Sequence, residues 1–153
     1  MQLADIEHAR RACTELSEDY ARCLDFRDYD AFLTLFADDA VLDGGVRHEG
    51  LPAIREALRR RRDEVRTRHV LSNAFVDVLG PDDARGIVYL TLYRHVGPES
   101  LARGPAPLGG PVAVGHYEDR FRRDDGVWRF ASRRLQLAFA AEPAHAGPDA
   151  ESW

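Results

Sequence analysis

The sequence has 153 residues, 44% of them hydrophobic, which suits one globular domain with a single core and leaves no room for a second. Its formal net charge of −5 at pH 7 argues against nucleic acid as the main partner, because phosphate binding requires a basic face. All 21 of its lysine and arginine residues are arginines, so catalysis through a lysine Schiff base is excluded.

Neither a membrane anchor nor a disulfide is expected. The first eight residues are charged and contain no apolar signal segment, and no apolar run reaches the ~18 residues of a membrane span. Cys13 and Cys23 lie ten positions apart in one predicted helix, roughly 15 Å by helical rise, which is too far for them to bridge. We therefore expect a soluble, reduced, cytoplasmic protein.

The first half of the chain predicts three helices. Apolar residues at three- and four-residue steps predict a long amphipathic helix over residues 5–24. Asp28 is placed to cap a shorter helix that runs through Phe36, and a short strand follows at residues 40–43. Pro52 opens the third helix, whose arginine run, residues 59–62, is expected to lie in solvent at the helix end.

After residue 65 the period of the apolar residues changes to two, which predicts strands. Strands are expected at residues 69–78, 84–96, 112–123 and 127–139. A loop rich in glycine and proline, residues 97–111, separates the two hairpins and is expected to bound the mouth of a pocket. One domain is predicted over residues 1–139, and residues 140–153 have the composition of a disordered tail.

Three helices followed by an antiparallel meander predict the α+β class, in which one face of the sheet is buried against the helices. A strongly curved antiparallel sheet wrapped on three N-terminal helices encloses a conical cavity. We therefore expect a cone-shaped α+β barrel.

Asp25 and His69 are the first candidates for catalysis. Asp25 ends the first helix beside its apolar stripe, where an unpaired carboxylate is costly and requires a buried partner. An imidazole from the facing sheet meets this need, and the carboxylate in turn fixes its tautomer and raises its basicity. The alternatives are a capping aspartate and a hydrogen-bonded core histidine.

Several short segments, taken in order, resemble the SnoaL-like branch of the nuclear-transport-factor-like superfamily. The resemblance runs from about residue 3 to 139 and rests on residues 25–30, 36–41, 50–54, 67–69, 115–119 and 125–130. It implies the cone-shaped fold, and it matches Asp25 and His69 to the aspartate–histidine dyad of the dehydratase and dehydrochlorinase members. It also implies that His95 is a second pocket histidine and that Tyr117 lines the pocket.

Other polar residues are expected around the same pocket. His95 shares strand parity with Tyr93, so the two offer an imidazole beside a hydroxyl, with a solvent-exposed strand end as the alternative. Either Arg134 or Arg133 binds an anionic group or pairs with Asp119, and the sequence leaves both open. The full set of predicted substrate-binding residues is Tyr20, Asn73, Tyr93, Tyr117 and Arg134.

These residues favour a cofactor-independent lyase or isomerase that acts on a small, apolar, oxygenated metabolite. Dehydration is the first choice, followed by double-bond isomerisation or cyclisation. The histidines lie on separate elements without metal-ligand spacing, so no metal is expected. The alternatives are a binding or scaffolding domain of the same fold, and an epoxide-type hydrolase built on Asp25, Arg134 and Asp119.

The expected partners are a small hydrophobic substrate and a second copy of the chain, with no nucleic acid and no membrane. A homodimer is predicted because an apolar row is expected on the outward face of the sheet. That row comprises Val70, Ala74, Val76, Val88, Leu90 and Leu92.

Overall fold

The computed structural model describes residues 1–141, so the predicted disordered tail lies outside the described residues from residue 142 onwards. The helices are α1 (Leu3–Asp25), α2 (Tyr29–Thr34) and α3 (Leu51–Arg60). The strands are β1 (Phe36–Asp43), β2 (Arg47–Glu49), β3 (Val65–Gly80), β4 (Asp83–Val96), β5 (Ala113–Asp124) and β6 (Val127–Ala140). A single 3₁₀ turn, Pro98–Leu101, opens the loop between β4 and β5.

All six strands belong to one sheet in the order β2-β1-β6-β5-β4-β3. The sheet is open and curves over the three helices, which confirms the predicted cone-shaped α+β fold. It is mixed rather than purely antiparallel, because β1 runs parallel to β6. None of the helices within residues 1–141 is both long and apolar enough to cross a membrane.

The apolar stripe of α1 lies against the sheet, as its spacing predicts. Its fully or nearly buried members include Ala9, Cys13, Tyr20 and Leu24. Burial of each large apolar side chain contributes about 1.5–3 kcal/mol. Asp25 therefore lies at the end of a helix whose direction is set by the core.

The second helix is shorter than predicted. Asp28 caps it, because its carboxylate accepts from the backbone N–H of Ala31 at 3.2 Å. The helix ends at Thr34, and Phe36 already pairs with Phe130 of β6 as a strand residue. Packing of the two rings, with centroids 5.3 Å apart, outweighs the local helical pattern at this position.

A bulge in β3 changes which residues face the core. Asn73 has a left-handed backbone, with φ of 53°, and the pairing with β4 shifts between Ser72 and Phe75. One extra residue reverses the alternation, so Val76 is buried while Phe75 is 62% exposed. The alternation that holds around His69 therefore does not continue beyond the bulge.

The predicted outward apolar row is also wrong for most of its residues. His69 pairs with Leu92 across β3 and β4, so the even-numbered residues of β4 share its inner face. Four of the six residues predicted to face outward are instead buried in the core: Val76, Val88, Leu90 and Leu92. The outer face is apolar through a different set of exposed residues, comprising Val70, Phe75, Ile87, Tyr89 and Phe139.

Candidate functional site

Asp25 and His69 form a directly bonded pair between α1 and β3. Asp25 Oδ1 lies 2.6 Å from His69 Nδ1. The backbone N–H of His69 donates to the second carboxylate oxygen of Asp25 at 2.9 Å. These two contacts join the end of the helix to the strand and fix the orientation of the imidazole ring.

Burial and hydrogen bonding set the charge of this pair. The side chains of His69 and Asp25 are 0% and 6% exposed. Burial alone would raise the pKa of Asp25, but the hydrogen bonds and charge of His69, with the Thr67 hydroxyl, hold that pKa below its ordinary value. Asp25 is therefore an anion that only accepts hydrogen bonds, so His69 Nδ1 carries the proton between them.

The other ring nitrogen of His69 is the reactive atom of the pair. When the ring carries a single proton, on Nδ1, Nε2 keeps its lone pair. Nε2 is buried and has no hydrogen-bond partner among the described residues. The ring of Tyr20 packs against the imidazole at a centroid distance of 6.1 Å and an angle of 89°. A buried nitrogen held in this way can accept a proton from a bound molecule.

Thr67 and Arg61 support the carboxylate from the other side. The Thr67 hydroxyl donates to Asp25 Oδ1 at 2.8 Å and accepts from Arg61 Nη2 at 2.9 Å. Because Arg61 fills an acceptor position of the hydroxyl, the hydroxyl proton is directed at Asp25. Arg61 also donates to the carbonyl oxygen of Leu24 at 3.2 Å and to the hydroxyl of Tyr29 at 3.0 Å.

The placement of Arg61 corrects the expectation that the whole arginine run lies in solvent. The helix ends at Arg60, and Arg61 continues with an extended backbone, φ −63° and ψ 124°. Its side chain therefore turns towards the end of α1 while its neighbours stay outside. Nothing in the run distinguishes Arg61, whereas Thr67 shares strand parity with His69 and could have been found from that spacing.

Removing the Thr67 hydroxyl is expected to raise the pKa of Asp25 towards its ordinary value. The folded-state pKa lies below that of the unfolded chain, so Asp25 adds stability above the unfolded value and loses it as the pH falls through the folded value. Thr67→Val should therefore unfold at a higher pH on acidification. NMR titration of the Asp25 carboxyl carbon and acid unfolding measure the effect, with Thr67→Ser as control. An unchanged Asp25 titration in Thr67→Val would contradict it.

A second ionic cluster lies deeper in the core. The side chain of Arg133 is 0% exposed and donates to both oxygens of Asp119 at 2.8 Å. Its Nη2 also donates to the hydroxyl of Ser17 at 2.7 Å, while Nη1 is buried without a partner among the described residues. The guanidinium carbon lies within 4.4 Å of three ring centroids, those of Tyr20, Tyr117 and Phe130. Nη1 is therefore a buried cationic donor with capacity for a further acceptor.

Two tyrosines connect the cluster to the dyad. The rings of Tyr20 and Tyr117 lie 5.5 Å apart in an edge-to-face arrangement, with an angle of 65° between their planes. Burial raises the pKa of Tyr20 to about 12, and it holds the pKa of Tyr117 well above its ordinary value. Both phenols therefore stay neutral at physiological pH and can donate hydrogen bonds.

The structure brings four of the predicted site residues together on the inner side of the sheet: Asp25, His69, Tyr20 and Tyr117. It also shows which of the two candidate arginines, Arg133 or Arg134, lies on the inner face. Arg133 pairs with Asp119 on the inner face, and Arg134 lies opposite Glu118 on the outer face. The predicted placement of Arg134 in the pocket is therefore wrong.

His95 and Tyr93 also lie apart from the dyad. Because His69 is paired with Leu92, the odd-numbered residues at this end of β4 face the other side of the sheet. His95 Nε2 contacts Glu99 in the following loop at 3.1 Å. Their predicted placement beside His69 is wrong.

Asn73 is exposed in the β3 bulge, so its predicted position in the pocket is wrong as well. The described part of the chain contains no group of three or more His, Cys, Asp or Glu residues arranged to hold a metal ion.

Comparison with known families identifies the domain. The family model of the SnoaL-like domain matches residues 7–134, which is most of the chain. A search of curated proteins finds no match.

Three solved structures illustrate the shared fold. A candidate scytalone dehydratase of Novosphingobium aromaticivorans is 19% identical, with 92% of this chain and 91% of that chain covered and a TM-score of 0.74. The hexachlorocyclohexane dehydrochlorinase LinA type 3 of Novosphingobium barchaimii is 18% identical, with coverages of 92% and 93% and a TM-score of 0.72. A variant of Rv3472 from Mycobacterium tuberculosis, of unknown function, is 26% identical, with coverages of 93% and 78% and a TM-score of 0.69. The chain belongs to the SnoaL-like family.

Proposed function

We propose that this protein is a cofactor-independent lyase or isomerase that acts on a small, largely apolar, oxygenated metabolite. One observation carries the proposal: His69 Nε2 is buried without a partner while Asp25 holds the opposite ring nitrogen at 2.6 Å. Dehydration is the preferred reaction, with double-bond isomerisation or cyclisation next. All three begin with removal of a proton beside a carbonyl group, and none requires an electron acceptor.

In the proposed dehydration, His69 Nε2 takes the proton from the carbon next to the carbonyl, and the C–H electron pair forms an enolate. Asp25 stabilises the resulting imidazolium through its charge and the short Nδ1 contact. The enolate then expels the β-hydroxyl group, and the imidazolium returns its proton to that group. Water leaves, a conjugated double bond forms, and His69 is neutral again.

The buried donors supply electrostatic support for the enolate. Arg133 Nη1 has an unused N–H, and Tyr20, whose ring packs against both Arg133 and His69, is a neutral hydroxyl donor. Donors of this kind stabilise a developing oxyanion more than the ground-state carbonyl. Because His69 and Arg133 are covered in this structure, substrate entry requires neighbouring side chains to move aside.

The named structural relatives agree with this class of reaction. Dehydratases and dehydrochlorinases both remove a proton and a leaving group from neighbouring carbon atoms, and each name occurs among the similar structures. These two relatives are 19% and 18% identical, so they share the fold with this chain, and the reaction is argued from its own residues.

The geometry counts against the hydrolase alternative. An epoxide-type hydrolase requires Asp25, Arg134 and Asp119 around one water molecule, but Arg134 lies on the outer face of the sheet. Both oxygens of Asp119 are taken by Arg133, and both oxygens of Asp25 are taken by His69. A non-catalytic binding domain remains as the alternative outcome of the experiment.

Solvent exchange tests the proposal before the natural substrate is known. The protein is incubated in D₂O with a panel of cyclic β-hydroxy ketones and β,γ-unsaturated ketones and followed by NMR. We expect deuterium at the carbon next to the carbonyl and formation of the conjugated ketone, both faster than in buffer. Saturable binding without exchange would support the binding domain and overturn the enzyme.

We further propose that the protein is a cytoplasmic homodimer that associates through the outer face of the sheet. Phe75 and Ile87 are paired neighbours there, 62% and 40% exposed, and Tyr89 beside them is 51% exposed. Exposed apolar clusters of this kind favour protein–protein contact. The buried free cysteines Cys13 and Cys23 agree with a reducing compartment.

Light scattering at micromolar concentration is expected to give twice the 17.2 kDa mass of the chain. The double variant Phe75→Asp/Tyr89→Asp should be monomeric, because two charges would lose their hydration in the contact. Val127→Asp, at the exposed start of β6, is the control and should remain dimeric. A monomeric wild-type protein would count against this interface.

A further inference from the structure

A groove outside the dyad lies between the loop at residues 105–110 and the base of the β3–β4 hairpin. Its volume is about 240 Å³. The side chains that give it its chemical character are Arg66, Arg68, Tyr93 and His95, and Thr67 and Arg94 also line it. The groove therefore contains two residues, Tyr93 and His95, that the dyad does not use.

Strand register arranges these side chains as an ordered array. Arg66 lies opposite His95, and Arg68 lies opposite Tyr93, at alternate paired positions of β3 and β4. All four belong to the outer face of the sheet, so the sheet separates them from His69. No aspartate or glutamate of residues 1–141 lines the groove, although acidic residues outnumber basic ones in the whole chain.

The groove has a fixed wall. Arg66 donates to four loop carbonyl oxygens at 2.6–3.0 Å, those of Glu99, Ser100, Ala102 and Gly104. His95 adds its contact with the Glu99 carboxylate at 3.1 Å. The loop is therefore attached to the sheet, and binding in the groove requires little ordering of the chain.

Arg68 and Tyr93 provide the unused polar groups of the groove. Arg68 Nη1 donates to the backbone carbonyl of Thr67 at 2.7 Å, and its guanidinium lies 4.8 Å from the ring centroid of Phe26. Its Nε and Nη2 groups, and the Tyr93 hydroxyl, make no hydrogen bond within residues 1–141. The edge of a guanidinium group that presents two free N–H groups, from Nε and Nη2, matches the two oxygens of a carboxylate.

We propose that this groove is a second binding site, which takes a small organic anion with a planar apolar body. The carboxylate of the ligand pairs with Nε and Nη2 of Arg68, and its ring lies between Tyr93 and the wall formed by residues 105–110. A volume of about 240 Å³ suits a ligand with one ring. The site does not depend on the proposed reaction, because none of its ligand-binding side chains belongs to the dyad.

Benzoate is the test ligand, and benzamide is its neutral counterpart of the same shape. In a ¹H–¹⁵N NMR titration, benzoate should produce saturable shifts at residues 66–68, 93–95 and the non-proline residues of 105–110, and benzamide should bind at least about tenfold more weakly. Arg68→Gln should weaken benzoate binding at least about tenfold. Arg85→Gln is the matched control, because Arg85 lies on the outer face of β4 but pairs with Asp77.

The second site would be overturned by shifts that do not saturate, by equal affinity for benzoate and benzamide, or by equal losses of affinity in Arg68→Gln and Arg85→Gln. Shifts confined to the surroundings of His69 would place the anion in the dyad site and would contradict binding in the groove. Thermal unfolding of both variants confirms that they are folded.

Discussion

His69→Gln is expected to lower enzyme-catalysed deuterium exchange and turnover by about 10²–10⁴-fold, the usual contribution of a general base. Glutamine has a similar length and polarity but no basic nitrogen at the position of Nε2. Asp25→Asn should lower both rates by about 100-fold or more. The new amide presents a donor to the backbone N–H of His69 or to Nδ1, where Asp25 accepts from both, and it no longer stabilises the imidazolium.

The matched control for these variants is His116→Gln. His116 lies on the outer face of β5 and contacts Glu118 at 3.3 Å, so its loss should leave the rate unchanged. Ligand binding, measured by calorimetry, should persist in His69→Gln because the base contributes mainly in the transition state. Full activity in either dyad variant would show that proton abstraction by His69 is wrong.

The elements with strong local periodicity were predictable. The stripe on α1 has a 3.6-residue period over more than twenty positions, and its end placed Asp25 beside the sheet. The pairing of Asp25 with His69 followed from one physical requirement, that a buried carboxylate needs a partner. His69 was also matched by the family resemblance, so two independent arguments pointed to it.

The faces of the strands were harder to predict, because a single bulge reverses every side chain beyond it. Asn73 causes this reversal in β3, and a second irregularity, between Arg120 and Phe121 in the pairing of β5 with β6, sets the phase of the last strand. Alternation alone therefore could not choose between Arg133 and Arg134. The same reason accounts for the misplaced His95.

The positions of the buried arginines were still harder to predict from the sequence. Arg61 is one of four consecutive arginines, and it turns inward only because the helix ends at the preceding residue. The sequence does not define the end of this helix to a single residue, whereas a shift of one residue decides the direction of this side chain. Its role in supporting Thr67 thus becomes visible only in three dimensions.

Asp119→Asn is expected to destabilise the fold by about 3–5 kcal/mol, because it leaves a buried guanidinium without its counter-charge. Arginine cannot release its proton, and Arg133 is 0% exposed. The uncompensated charge can therefore be neither neutralised by deprotonation nor hydrated by water. At low pH, Arg133→Met should lower the free energy of unfolding by less than Asp119→Asn does. Burial already raises the pKa of Asp119 against the opposing charge of Arg133, so the isolated carboxyl can take up a proton.

The sign of the pH dependence follows from that difference. In Arg133→Met the folded-state pKa of Asp119 lies above the unfolded value, so the stability that protonation adds is present at low pH and is lost as the pH rises through the folded value. Urea unfolding at pH 5 and pH 8 should therefore show Arg133→Met less stable at pH 8, whereas Asp119→Asn should lack this dependence.

The exposed pair Arg120–Asp83, at 2.9 Å with both side chains about half exposed, is the matched control. Arg120→Gln should change the free energy of unfolding by no more than about 1 kcal/mol. The double variant Asp119→Leu/Arg133→Met should recover much of the loss in Asp119→Asn, since an apolar pair carries no desolvation cost. A loss in Asp119→Asn no larger than that in Arg120→Gln would show that the buried pair does not hold the core together.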